Sequence, residues 1–144
     1  MGGMASKGTY CLCISVDADV VVRVGALGRI EFTSGRYVYV GSAMNGLEAR
    51  VRRHLKTAAG SPGKVHWHID YLLKEPEVSI EAIYTGTPGE RMECAVAGVV
   101  SKLGRSIRGF GCSDCRCESH LFEVQRCTIL SELGLELRPT SVYL

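Results

Sequence analysis

The stretch RYVYVGSAMNGLEARVRRHLKTA, residues 36–58, changes its period halfway along. Arg36–Gly41 is rich in β-branched and aromatic residues and reads as a strand closing on Tyr39-Val40-Gly41. From Leu47 onward the apolar residues Leu47, Val51, Leu55 and Ala58 fall at i, i+4, i+8 and i+11, the mark of one buried helix stripe. Ser42 or Asn45 is placed to cap the helix, and Gly60-Ser61-Pro62-Gly63 stops it. Arg50 and His54 are four apart and share a face beside that stripe. A strand thus leads directly into a helix that also carries Arg52, Arg53 and Lys56.

Upstream, TYCLCISV (9–16) puts Tyr10, Leu12, Ile14 and Val16 on one face of a strand. Short strands are expected at 20–24 and 29–32, with turns at Asp17-Ala18-Asp19, Gly25–Gly28 and Ser34-Gly35, which together read as an antiparallel meander. Downstream, 65–74 (VHWHIDYLLK) reads as a short helix stopped by Pro76, and Val78–Thr85 as a strand. Thr87-Pro88-Gly89-Glu90 has the form of a capping box for a helix whose stripe is Met92, Val96, Val99, Val100 and Leu103, with Gly104 as its stop. Leu121–Val124 is expected as a strand, with another at Glu136–Arg138 or Ser141–Leu144. This order predicts one α+β domain over 1–144, with a mostly antiparallel sheet, an inserted hairpin at about 17–35 and a Cys-rich loop at 109–122.

The chain has 144 residues, is 46% hydrophobic and 22% charged, and carries a net charge of +2. That composition excludes a mainly disordered chain, and its longest apolar runs are far too short to span a bilayer. No membrane association is expected, and the opening MGGMASKG, with no apolar h-region, predicts a cytoplasmic protein. The charge is uneven: residues 1–64 hold nine Lys/Arg against four Asp/Glu. The basic excess sits at Arg50, Arg52, Arg53, Lys56 and Lys64, a cluster that can steer a polyanion or form a solvated helix face.

Tyr10 and Tyr39 on strands, Arg50 and His54 on a helix and Glu93 near a helix start make a set able to hydrolyse a phosphodiester. A phenol or imidazole accepts a proton from water, a guanidinium offsets phosphoryl charge, and one carboxylate holds a mostly hydrated Mg²⁺. Each residue has a plainer alternative: packing for the tyrosines, solvated faces for Arg50, His54 and Glu93. Cys112, Cys115, Cys117 and His120 offer four ligands of the kind Zn²⁺ takes, while packed thiols and a disulfide stay open as alternatives. His66, His68 and Asp70 can ligate a metal or form a polar edge that shapes a groove. Trp67 reads as core before base-stacking platform.

These residues carry a resemblance. Gly8-Thr9-Tyr10, Tyr39-Val40-Gly41-Ser42, Arg50-x-x-x-His54 and a helical Glu93 resemble the GIY-YIG nuclease superfamily. YVYVGSA (37–43), HWHIDYLL (66–73) and GFGCSDCRCESHLF (109–122) resemble a largely archaeal subgroup of the DUF123 type, the Uri superfamily endonucleases. The resemblance covers most of 8–122. It implies a small antiparallel sheet of three core strands flanked by helices, one Mg²⁺ or Mn²⁺, and hydrolysis of nucleic acid, DNA before RNA.

It also implies roles. Tyr10 and Tyr39 take the signature tyrosine places, Arg50 the phosphate-stabilising arginine, His54 the position one turn on, and Glu93 the metal ligand. Ser42, Arg52, Arg53, Lys56 and Lys64 are expected to meet the nucleic-acid backbone. Residues 11–38, 28 in number, separate the signature tyrosines, and an inserted hairpin accounts for that span. Gly109–Asp114 stands where the superfamily has an Asn. Two alternatives follow: a nucleic-acid-binding module without turnover, or a zinc-stabilised accessory domain for repair-system proteins. Oligomeric state is not legible.

Overall fold

The strand ending at Ala43 and the strand beginning at Gly8 pair along their full length, and the rest of the molecule is arranged on that pair. In the computed structural model, residues 7–90, 92–111 and 117–143 are described. The elements are β1 (Gly8–Val16), β2 (Val20–Arg23), β3 (Arg29–Phe32), β4 (Gly35–Ala43), α1 (Leu47–Ala58), α2 (His68–Leu73), β5 (Val78–Thr85), α3 (Glu93–Leu103), β6 (Arg105–Ser106), β7 (Leu121–Val124), α4 (Ile129–Glu132) and β8 (Glu136–Arg138). Single 3₁₀ turns lie at Gly25–Leu27 and Thr140–Tyr143. Six strands form one sheet in the order β6-β7-β4-β1-β5-β8, every pair antiparallel. The chain is α+β, and its three central strands β5-β1-β4 are extended on both sides.

The expected meander does not form. β2 and β3 pair only with each other, as a separate two-stranded hairpin. The insertion therefore leaves the sheet, and Val22, Val24 and Phe32 bury its inner side against the core. The C-terminal segment resolves into β8 at 136–138 and a 3₁₀ turn at 140–143.

β1 is buried throughout because both faces of the sheet are covered. Tyr10, Leu12, Ile14 and Val16 join Tyr37, Tyr39, Leu47, Val51 and the α2 residues Ile69, Leu72 and Leu73 on one side. Cys11, Cys13, Val38 and Val40 meet Val96, Ala97 and Val100 of α3 and Leu130 of α4 on the other. A disulfide joins Cys13 to Cys127, past β4 to the segment after β7. The expected disulfide alternative concerned the 112–117 loop, so this bridge lies elsewhere.

Two helix readings are corrected. α1 buries Leu47, Val51, His54 and Thr57, so its inner face turns towards His54, while Leu55 and Ala58 are only half-buried. Its N-cap is Gly46 in the left-handed conformation, in place of Ser42 or Asn45. α3 begins at Glu93, not at the Thr87 box: Gly89 has φ +86° and Glu90 N–H closes a turn on the Thr87 carbonyl. The N–H of Met92 donates to Thr9 Oγ1 at 2.8 Å, so a contact from β1 fixes the helix start. Among the described residues no helix is long and apolar enough to cross a membrane.

Candidate active site

β4 outlasts its outer neighbour. Pairing with β7 stops at Tyr39 opposite Leu121, and the Val40 N–H is taken by the His120 carbonyl. Beyond that point a cleft of about 600 Å³ opens along Val40, Gly41 and Ser42. Because it opens at the end of the β7 pairing, residues from both faces of the sheet reach it. Tyr10, Tyr39, Arg50 and Glu93 all line it. His54 stands behind them, with its Nε2 2.8 Å from the Tyr10 hydroxyl. The five residues thus form one constellation.

Gly41 is the residue that permits it. Tyr10 and Gly41 are directly opposite in the β1–β4 register, and the phenol lies over the glycine. A Cβ there would come 2.5 Å from Tyr10 Cζ and 2.6 Å from its hydroxyl oxygen. Tyr10 is 1% exposed, and burial, with Tyr39 beside it, holds its phenol well above the usual pKa although Arg50 pulls the other way. His54 is 1% exposed, and burial pulls its pKa from 6.5 down to about 4. The imidazole is therefore neutral at pH 7. Its Nδ1 has no hydrogen-bond partner among the described residues.

Arg50 is held over the Trp67 ring, its guanidinium carbon 4.5 Å from the centroid, while Nη1 donates to the Ser42 carbonyl at 3.2 Å. Arg53, one turn on, lies over the same ring at 4.6 Å. Trp67 therefore serves as a positioning platform in the cleft wall, packed at the margin of the core. Arg53 also grips fully buried Asp70 by donating from Nη1 and Nη2 to its two carboxylate oxygens, at 3.0 and 3.1 Å. Backbone N–H groups of His66 and Trp67 donate to the same carboxylate. Burial raises the Asp70 pKa, but the Arg53 bonds and these two N–H groups outweigh it, so the carboxyl stays below its usual range.

The other expected contacts scatter. Ser42, His66 and His68 line the cleft. His68 Nδ1 accepts the Gly111 N–H at 2.9 Å and so ties α2 to the loop before β7. Arg52 donates to the Tyr143 carbonyl, and Lys56 and Lys64 are exposed away from the cleft lining. Glu93 is the first residue of α3, where the helix N-terminus favours a carboxylate. Among the described residues the cleft lining carries one carboxylate, and one carboxylate in a roomy cleft suits a hard, largely hydrated cation such as Mg²⁺ or Mn²⁺.

Of the expected zinc ligands, Cys112 and Cys115 lie outside the described residues. Cys117 and His120 instead meet Cys94, with their ligand atoms within 4.8 Å of one another, and this Cys/His group can hold a metal ion. Cys94 follows Glu93 directly and also lines the cleft. Sequence reading missed it because an isolated cysteine on a helix gives no sign of partners more than 20 residues away.

A family model described as "Domain of unknown function DUF123" matches residues 9–138. No curated protein and no solved structure matches the chain.

Proposed function

The chain belongs to the DUF123 family, and from that premise we propose that it is a metal-dependent endonuclease that hydrolyses nucleic-acid phosphodiesters, DNA in the first instance, by in-line attack of water. The observation that carries this is the single cleft lined by Tyr10, Tyr39, Arg50 and Glu93 with His54 bonded to Tyr10. The likeness of its motifs to the GIY-YIG superfamily points the same way.

In this reading Tyr10 accepts a proton from the attacking water as it passes its own to His54 Nε2. The neutral imidazole has the lone pair for that transfer. Its low pKa rises when an anionic phosphodiester enters the cleft, because a nearby negative charge favours the imidazolium. Tyr39, at the cleft surface, orients the water or the phosphate. Arg50, fixed by Trp67 and the Ser42 carbonyl, meets the phosphoryl oxygens as charge builds on them. Glu93 would hold the Mg²⁺ or Mn²⁺, which supplies Lewis-acid stabilisation of the same charge. The exposed Lys56 and Lys64 attract the backbone without reading sequence.

The test is Glu93→Gln, which keeps the side-chain shape and removes the charge. Folding and gel-shift binding are expected to persist, while cleavage in Mg²⁺ or Mn²⁺ falls about a hundredfold or more, roughly 3 kcal/mol in the barrier. Equal cleavage by both proteins overturns the assignment of Glu93. No cleavage of plasmid, single-stranded or branched DNA or RNA by either protein replaces the nuclease with a binding module.

A further inference from the structure

Outside the proton-transfer pair, a group of metal-ligating side chains among the described residues joins two separate parts of the chain. Cys94 is on the first turn of α3, Cys117 is in the loop before β7, and His120 immediately precedes that strand. Cys94 Sγ and Cys117 Sγ are 2.9 Å apart, and the His120 imidazole completes a set within 4.8 Å. His120 is buried, and its Nδ1 lies 3.0 Å from the Val40 carbonyl. A carbonyl only accepts, so Nδ1 carries the proton and Nε2 carries the lone pair. A backbone carbonyl that fixes the tautomer in this way is the usual support behind a metal-bound histidine.

We infer that Cys94, Cys117 and His120 form a site for a soft divalent cation, Zn²⁺ by chemical class, in the wall of the cleft beside Glu93. Two sulfurs and an imidazole select zinc over Mg²⁺ or Mn²⁺, which prefer oxygen. The three ligands among the described residues leave one tetrahedral position for solvent or another donor. The ion fastens the loop before β7 to the start of α3. Bonds that also hold that loop include Gly109 N–H on the Glu118 carbonyl, His120 N–H on the Phe110 carbonyl and Gly111 N–H on His68. With Cys94 fixed, the adjacent Glu93 is held at the cleft. The site is thus separate from the hard-cation role given to Glu93, and either reading can fail without the other.

The experiment uses the full chain, reduced, stripped with a chelator and titrated with Co²⁺ as a spectroscopic substitute, then with Zn²⁺. One equivalent of Co²⁺ is expected, with the intense visible bands of a tetrahedral site and thiolate-to-metal charge transfer, both erased by Zn²⁺. Cys94 is exposed, so Cys94→Ser is expected to fold normally by circular dichroism yet bind Co²⁺ about a hundredfold more weakly or worse. Cys117→Ser is expected to match it. Glu93→Gln is expected to keep the Co²⁺ spectrum while losing cleavage, which separates the two readings. The proposal is overturned by a titration without thiolate bands or by a Cys94→Ser protein that binds Co²⁺ as tightly as the parent. A Cys94–Cys117 disulfide found by peptide mapping of the unreduced protein overturns it too.

Discussion

At His54 the candidate chemistry and the stability of the fold depend on the same imidazole. In an unfolded chain it takes up a proton near pH 6.5. In the native protein burial delays that uptake to about pH 4. Above pH 6.5 both states are neutral and stability is at its full value. As pH falls from 6.5 towards 4 the unfolded state gains a proton that the native state lacks, and up to about 3 kcal/mol is lost. Burial lowers the pKa of His68 as well and acts in the same direction. Asp70 is different: its carboxyl stays below 3.8, so its contribution is lost only under still more acid conditions. Urea unfolding at steps between pH 7 and 4.5 should therefore show a falling midpoint, and His54→Asn should remove most of that slope. An unchanged slope in the variant would show that His54 titrates alike in both states. Spacing alone put His54 on the Arg50 face beside the apolar stripe. It did not show the side chain buried, because α1 turns inward around the hydroxyl of Tyr10, 44 residues away.

Among the elements, β4 and α3 show two opposite uses of glycine. Gly41 lies in an extended strand and needs no unusual backbone angle. It is required because the Tyr10 phenol occupies the place of its side chain. Gly41→Ala should push that ring aside and break the Tyr10–His54 bond. The expected cost is about 1–3 kcal/mol of stability, the range for overpacking a core, together with most of the proposed cleavage activity. Gly98, inside α3, has nothing within 4 Å of where a Cβ would stand. Gly98→Ala should instead add up to about 1 kcal/mol of helix propensity, raise the melting temperature and leave the proposed cleavage unchanged. Thermal melts and a cleavage time course on the two variants check both, and a destabilised Gly98→Ala would contradict the open helix face. Strands and helices with strong periodicity, such as β1 and α1, were legible in the sequence. The start of α3 was not: Thr87-Pro88-Gly89-Glu90 has every local mark of a capping box. Thr9 on β1 decides otherwise by accepting the Met92 N–H, a long-range contact that no window of sequence contains.

For the molecule as a whole, the sheet order was the least legible feature. Four short strands in succession suggest a meander, yet β1 bypasses the hairpin to pair with β4 over nine residues. The hairpin instead places Phe32 and Val22 over the core. The cysteines gave an equally indirect signal. Seven cysteines at uneven spacing left zinc, packed thiols and a disulfide open at the 112–120 loop, and Cys117 and His120 do meet in a group that can hold a metal ion, with Cys94 as their unforeseen partner. Cys13 and Cys127 are instead joined to each other across 114 residues. That bond ties the central strand to the segment beyond β7, near the two ends of the domain in sequence. A loop of this size removes much of the freedom of the unfolded chain, by up to about 4–5 kcal/mol in the chain-entropy account. Cys127→Ser should therefore lower the urea midpoint substantially, and full reduction of the parent protein should lower it to nearly the same value. Adding reductant to Cys127→Ser should then change nothing further. The comparison is made with Zn²⁺ held constant, so that the thiols of Cys94 and Cys117 do not contribute to the shift. Cys127 is buried, so reduction is expected to proceed only as the chain opens, and its rate should rise with urea. Thiol labelling of the unreduced, unfolded protein provides the decisive control. Free thiols at Cys13 and Cys127, or a parent protein whose midpoint does not move on reduction, would leave the sheet to hold its two ends together by packing alone.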